Sequence, residues 1–587
     1  MSRRKYRPEI ALDPSAEPRP RWIELATSAD HKDIGRILIG SSLGFLFLSG
    51  LLLVLIRLQL LIPENGFLDP VTFNRLLSVY GETAIFCFAL PLIMGLFHYL
   101  VPLQIGARST ALPRLSQIGL WLYLAGTVVL YAGFLYTPSE AGINPLPPLS
   151  EAGFLDNNGI EIWLSSAGLI TLGLILLAID LITTLRTRRA PGMVWRRMPV
   201  FSWAAGSVAW LILVTGSILL AAITMLMLDR NSGGVFFQGD AGGAPLLWQH
   251  LTWIFFAGAY TAILVAALGA IAEIVPTLSR RRLQGRPVVI GSLVAIAVLG
   301  PLAWLQNMVS APISSGWLYF GMTMALLMIV PLGLILFNLL ATLHGGAIVA
   351  RSPILFAAGA ISMISIGLVA ELTHSLVAVG QLLHHTTDAT GATHYALVGG
   401  AVLGGFAALH YWYPKMTGRV LGESMGRISF WLIFVGANVA FFPLFLAGIR
   451  GQVVDAYKYF EGTGLAGYNL VAGLGTLVLF AGVILGLANL IASRTGGRPA
   501  RHDQWGGETL EWLTLSPPPV HNFDVLPDVR GPRPLHDIRA AIAARPAPSA
   551  PRHGGEGAPG PSAPEPDAPA GGSDDPAGVD STTQPIA

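Results

Sequence analysis

Apolar residues run through this chain in tracts of about 20, separated by short connections rich in Gly, Pro and Arg. Twelve tracts are centred near residues 47, 90, 126, 172, 213, 261, 297, 328, 365, 404, 439 and 479. Each is long enough to cross a hydrocarbon core of roughly 30 Å as a helix. The period-two alternation of barrel strands is missing, and in lipid a helix satisfies its own backbone hydrogen bonds. The pattern predicts an all-α polytopic membrane protein with about twelve transmembrane helices over residues 31–495. Residues 1–30 form a polar N-terminal segment and 496–545 a second polar segment. Residues 546–587, rich in Pro, Ala and Gly and without apolar periodicity, read as a disordered tail.

Composition agrees: 53% of residues are hydrophobic and only 12% charged, with a mean hydropathy of +0.59. The arginines set the expected orientation. Arg3, Arg4, Lys5, Arg7, Arg19, Arg21, Lys32 and Arg36 precede or open the first tract. Arg186, Arg188, Arg189, Arg196 and Arg197 lie between the fourth and fifth, and Arg280, Arg281, Arg282 and Arg286 between the sixth and seventh. These connections share one side, which the positive-inside rule assigns to the cytoplasm, with both termini there. A multi-pass protein of the cytoplasmic (inner) membrane is expected, with the lipid bilayer as its surroundings. The first 30 residues lack an apolar core, so no cleavable signal peptide is expected. The net charge of +2 reflects topology and gives no case for nucleic acid. The lone Cys87 excludes an intrachain disulfide and any cysteine-rich metal site.

Short stretches then narrow the class. HKDIG begins at His31, VPLQIGAR at Val101, ITMLMLDRN at Ile223, QHL at Gln249, LATLHGG at Leu340 and YWYPKM at Tyr411; TLEW, SPPP and NF follow from Thr509. In this order, over roughly residues 30 to 525, the chain resembles subunit I of the haem-copper oxidases that use cytochrome c or quinol. The resemblance implies a low-spin haem between histidines of the second and tenth helices and a high-spin haem on another histidine of the tenth. It also implies a copper held by three histidines of the sixth and seventh.

Alignment on the matching stretches puts other residues at those positions. The second-helix ligand falls on Tyr80. The His-x-His of the tenth helix becomes Ala392, Thr393 and His394, with Ala392 at the high-spin position and His394 at the low-spin one. The copper positions are Ala257, Gln306 and Asn307, and the redox tyrosine becomes Thr261. Positions of proton uptake become Ala259, Ser109 and Ile335. The arginine pair for haem propionates falls on Val454 and Asp455, with Arg450 nearby. Where quinol-type relatives use polar groups, Val71, Thr72, Asn74 and Arg75 stand. Copper is therefore not expected. Either no haem or a single haem is, with His394 as axial ligand and Tyr80 opposite.

A polar cluster remains toward the outer face. Tyr80 and Glu82 open the second helix; Glu371 and His374 share a face of the ninth, and His384, His385 and Asp388 follow. Glu371, His374, His384 and His385 are candidate ligands for a divalent metal such as zinc or iron. The alternative is a water-facing loop with hydrogen-bonded side chains. His250 and His344 read as structural, His98 and His410 as meeting water or a neighbouring helix, and Asp180 and Glu273 as snorkelling at helix ends.

Three functions stay open. The first is a non-catalytic subunit I-like protein, structural or accessory in a respiratory-type complex with other oxidase-type membrane subunits. HKDIG, LDRN and TLEW with SPPP support it, as stretches expected at surfaces and helix ends where neighbours pack. The second is an active terminal oxidase, and the third a metal-binding or transport protein using the Glu/His cluster.

Overall fold

The structure, a computed structural model, describes residues 24, 26–140, 142, 144–154 and 158–543. The tail 546–587 and nearly all of 1–30, with its basic residues up to Arg21, lie outside the described residues. The chain divides into units Met1–Arg539 and Ala540–Ala587, and the first contains the whole helical bundle.

Among the described residues, twelve helices are long and apolar enough to cross a membrane. They are α1 (His31–Gln59), α2 (Pro70–Gln104), α3 (Pro113–Leu135), α4 (Gly159–Thr187), α5 (Val200–Asn231) and α6 (Pro245–Ser279). The rest are α7 (Arg286–Met308), α8 (Ser315–Leu343), α9 (Ser352–Ser375), α10 (Thr387–Thr417), α11 (Glu423–Ile449) and α12 (Ala466–Gly496). No strand occurs among the described residues, only two isolated bridges. In α2, α10 and α6, 100, 89 and 78% of the most apolar window is buried, against 33% in α8. The first three are therefore the central helices, and the site lies among them.

Local chemistry explains the helix ends and breaks. Asp30 and Asp69 accept from the backbone N–H of Lys32 and Thr72, and Pro70 occupies the first turn of α2. Pro331 removes a backbone donor, and α8 breaks just before it, at Met328. Pro301 does the same in α7, whose end tightens into a 3₁₀ turn, Trp304–Met308, that carries Gln306 and Asn307. Small residues let helices approach closely: a methyl on Gly173 of α4 would lie 2.5 Å from the carbonyl oxygen of Gly119 on α3. α2 and α10 each contain a π-helical stretch, Thr83–Ala89 and Val398–Leu403.

At the end of the bundle where α1 begins, the family-like stretches clasp one another. Asn522 donates to His31 Nε2 and to the carbonyl of Ala107, both at 2.9 Å, and Lys32 Nζ donates to Val520 O at 2.8 Å. Glu511 Oε1 accepts from Gln104 and Trp412, both at 3.2 Å. These stretches therefore hold the chain's own C-terminal segment against the bundle. Leu510, Glu511 and Trp512 are buried, which corrects the expectation that TLEW lies at a surface for neighbours. Within LDRN, Asp229 is buried and accepts from Phe236 N and Phe237 N, and Arg230 pairs with Glu161, while Leu228 and Asn231 are exposed.

Asp180 and Glu273 do not snorkel. Asp180 is fully buried and accepts from Leu112 N and Ser116 Oγ at the start of α3, while Glu273 accepts from Val200 N and Phe201 N at the start of α5. Each carboxylate meets the free N–H groups of a neighbouring helix N-terminus, where the macrodipole also favours negative charge.

Candidate functional site

α2 and α10 bring Tyr80 and His394 face to face. Tyr80 Oη lies 2.6 Å from His394 Nε2, and the rings are within 4° of parallel. His394 Nδ1 is 2.7 Å from the carbonyl of Thr390, so Nδ1 carries the proton. Nε2 is then the acceptor, and the tyrosine hydroxyl donates. Phe441 of α11 packs against the imidazole, with ring centroids 4.7 Å apart. Tyr80 stands three residues before one π-helical stretch and His394 four residues before the other. Such distortions are common at functional sites.

Beside this pair lies a cavity of about 590 Å³. Ala257 and Thr261 of α6, Gln306 and Asn307 of α7, and Val454 and Asp455 of the α11–α12 connection line it. Gln306 Oε1 accepts from Ser375 Oγ at 2.8 Å. Ala392 is fully buried, one turn from Tyr395, and offers no donor atom.

The Glu/His group lies on one part of the cavity wall. Glu371, His374, His384 and His385 all line it, and His374 Nε2 bonds to Asp388 Oδ1. His385 Nε2 is 2.9 Å from Ser310 Oγ, and its ring centroid is 5.0 Å from that of His384. Burial, followed by the neighbouring His385 and His374, pushes His384 down to about 4. Among the described residues, no group of three or more His, Cys, Asp or Glu side chains is arranged to hold a metal ion.

Other histidines meet protein. His98 is buried, with Nδ1 on the Met94 carbonyl and Nε2 3.3 Å from Ser116 Oγ. His410 is buried with Nδ1 on the Phe406 carbonyl, and His250 Nδ1 accepts from Trp304 at 3.1 Å. His344 contributes its carbonyl to Arg281.

One buried group escaped the sequence reading, and a second was misplaced by it. Arg57, in the last turn of α1, is 6% exposed and lines the cavity, and its Nε has no hydrogen-bond partner. Its nearest influences are Tyr80 and Asp455, whose carboxyl is pushed up by burial and held back by Arg57. Arg450 instead stacks over the Tyr468 ring at 5.3 Å. The available signal was an arginine amid LLLVLIRLQLLI, since an ionisable residue inside a span marks function by default. The second group is Glu82, which the sequence places in a water-facing cluster. It is fully buried, and the Ser166 hydroxyl faces it without either group making a close hydrogen bond.

Fold and site together define a multi-pass helical membrane protein with a partly polar cavity among its helices. The family described as Cytochrome C and Quinol oxidase polypeptide I matches residues 33–478. Cytochrome c oxidase subunit 1 of Bacillus subtilis (strain 168) is 34% identical over 514 residues, 87% of this chain and 82% of that protein. Quinol oxidase subunit 1 of Bacillus spizizenii is 31% identical over 522 residues, 88% of this chain and 80% of that protein. A solved haem-copper terminal oxidase dimer superposes with a TM-score of 0.64 at 14% identity, covering 82% of this chain and 84% of that one, a likeness of fold. The chain belongs to the cytochrome c and quinol oxidase polypeptide I family.

Proposed function

We propose that this family member does not itself reduce oxygen. It serves as a structural or accessory subunit of a respiratory-type complex in the cytoplasmic membrane, with both termini on the cytoplasmic side. The observation that carries the reading is the donor set: where the family resemblance calls for histidines stand Tyr80, Ala392, Ala257, Gln306 and Asn307, and only His394 keeps an imidazole.

Ala392 cannot ligate a high-spin iron, Ala257 cannot ligate copper, and the Gln306 amide is engaged by Ser375. Amides are poor replacements for imidazoles at copper. The residues present do not fit two haems and a copper, so no oxygen chemistry is derived through them. What the chain retains is the packing that builds the bundle and the clasp that closes one end of it. A subunit whose role is to present helices to partners needs those features and no metal.

The names of the relatives favour a second reading, an active oxidase. Oxygen uptake by the purified chain, with reduced cytochrome c and separately with a quinol as donor, separates the two. No uptake above the donor's own oxidation supports the proposal, and turnover with either donor rejects it. Mild-detergent purification of a tagged chain with stoichiometric membrane subunits would support the accessory role. Recovery of the chain alone would count against it.

A further inference from the structure

We infer that the cavity binds a single-chain amphipathic carboxylate, its head paired with Arg57 and its apolar body lying along the walls. This rests on the proposed function, since a haem would claim the same space.

The head site follows from Arg57. A guanidinium this buried costs free energy unless it is paired and hydrogen-bonded. Its Nε has no hydrogen-bond partner, and no ion pair joins it to an acid among the described residues. Asp455 is the nearest candidate, but it is not within ion-pairing distance and its backbone is held at φ 59°. Burial pushes the Asp455 carboxyl up and Arg57 holds it back, but no ion pair joins the two among the described residues, so the arginine's Nε stays open to a ligand. A carboxylate suits the planar fork of an arginine, which offers two parallel N–H donors.

The body site follows from the walls. Leu53, Ile56, Phe73, Leu264, Met328 and Leu368 line the cavity together with Arg57. Leu53 and Ile56 come from the same turns of α1 as the arginine, so polar head and apolar surface adjoin. The volume of about 590 Å³ lies within the range of roughly 300–1,000 Å³ typical of small-molecule sites.

The test uses the full chain purified in detergent, with haem quantified first. Binding of radiolabelled palmitate is compared with that of hexadecanol, which has the same chain without the charge. Palmitate should saturate at about one per chain, and hexadecanol should bind at least about ten-fold more weakly, the scale of one lost charge-assisted pair. Arg57→Gln should bring palmitate down to the level of the alcohol, whereas Arg57→Lys should keep most of the difference. Equal binding of acid and alcohol, non-saturating uptake of both, or full palmitate binding by folded Arg57→Gln would overturn the inference. If Arg57→Gln does not fold, the acid–alcohol comparison on the unaltered chain decides alone. Stoichiometric haem in the starting sample would instead overturn the proposed function; a haem-free sample without acid preference overturns only this inference.

Discussion

Tyr80 and His394 stand 314 residues apart in sequence and hydrogen-bond at 2.6 Å across the contact between α2 and α10. The imidazole is locked in one tautomer by the Thr390 carbonyl, so the tyrosine hydroxyl is its partner rather than a spectator. The two side chains that the family resemblance places at the low-spin haem thus satisfy each other and tie the two most buried helices together.

Tyr80→Phe leaves His394 Nε2 without a donor and should cost about 1–3 kcal/mol, the penalty for an unsatisfied buried group. A lower thermal midpoint in detergent is the expected readout. His394→Ala should cost a similar amount, and the double substitution less than the sum, because one interaction is counted in both single changes. Strictly additive losses would show that the two groups do not depend on each other.

The clasp makes a second prediction. Asn522→Ala removes the partners of His31 Nε2 and the Ala107 carbonyl and one partner of Lys32. It should destabilise the protein by at least about 2 kcal/mol. Limited trypsin digestion should then cut at Arg498 and Arg501 faster than in the unaltered chain. An unchanged digestion pattern would mean that the C-terminal segment is held by something else.

Glu82 is the opposite case, since it is buried with neither oxygen in a close hydrogen bond. Glu82→Met replaces this acid by an apolar side chain of similar length and should raise the thermal midpoint, by the equivalent of about 1–3 kcal/mol. A lower midpoint would show that the facing Ser166 hydroxyl holds this carboxyl in place.

His384 predicts a pH dependence. Its folded value is lowered from 6.5 to about 4, so the unfolded chain binds the proton more tightly. The contribution of neutral His384 is complete above its ordinary value of 6.5 and is lost as pH falls toward 4. The thermal midpoint should decline across that window, and His384→Gln should flatten the decline. An identical slope in the variant would assign the acid sensitivity to other groups.

Helix number and order were legible in the sequence because apolar tracts of bilayer length admit few other structures. The family-like stretches anchored the register well enough to pair Tyr80 with His394 from sequence alone, since both belong to long ungapped helices. Loop and end residues were less legible. Asp180 and Glu273 looked like snorkelling acids, and only packing reveals that each faces the N-terminus of a neighbouring helix. TLEW looked like a surface for partners because nothing local in it shows that Glu511 reaches Gln104 and Trp412. Arg57 was not singled out from the sequence; the cavity it lines is a property of several helices and loops, not of one segment.

A dithionite-reduced minus air-oxidised absorption spectrum of the purified chain, with iron and copper quantified on the same sample, tests the central claim most directly. The account predicts no haem bands and neither metal in stoichiometric amount. Two haems with copper would contradict it and restore an oxygen-reducing enzyme, and a single haem would mean that the Tyr80–His394 bond opens to admit iron.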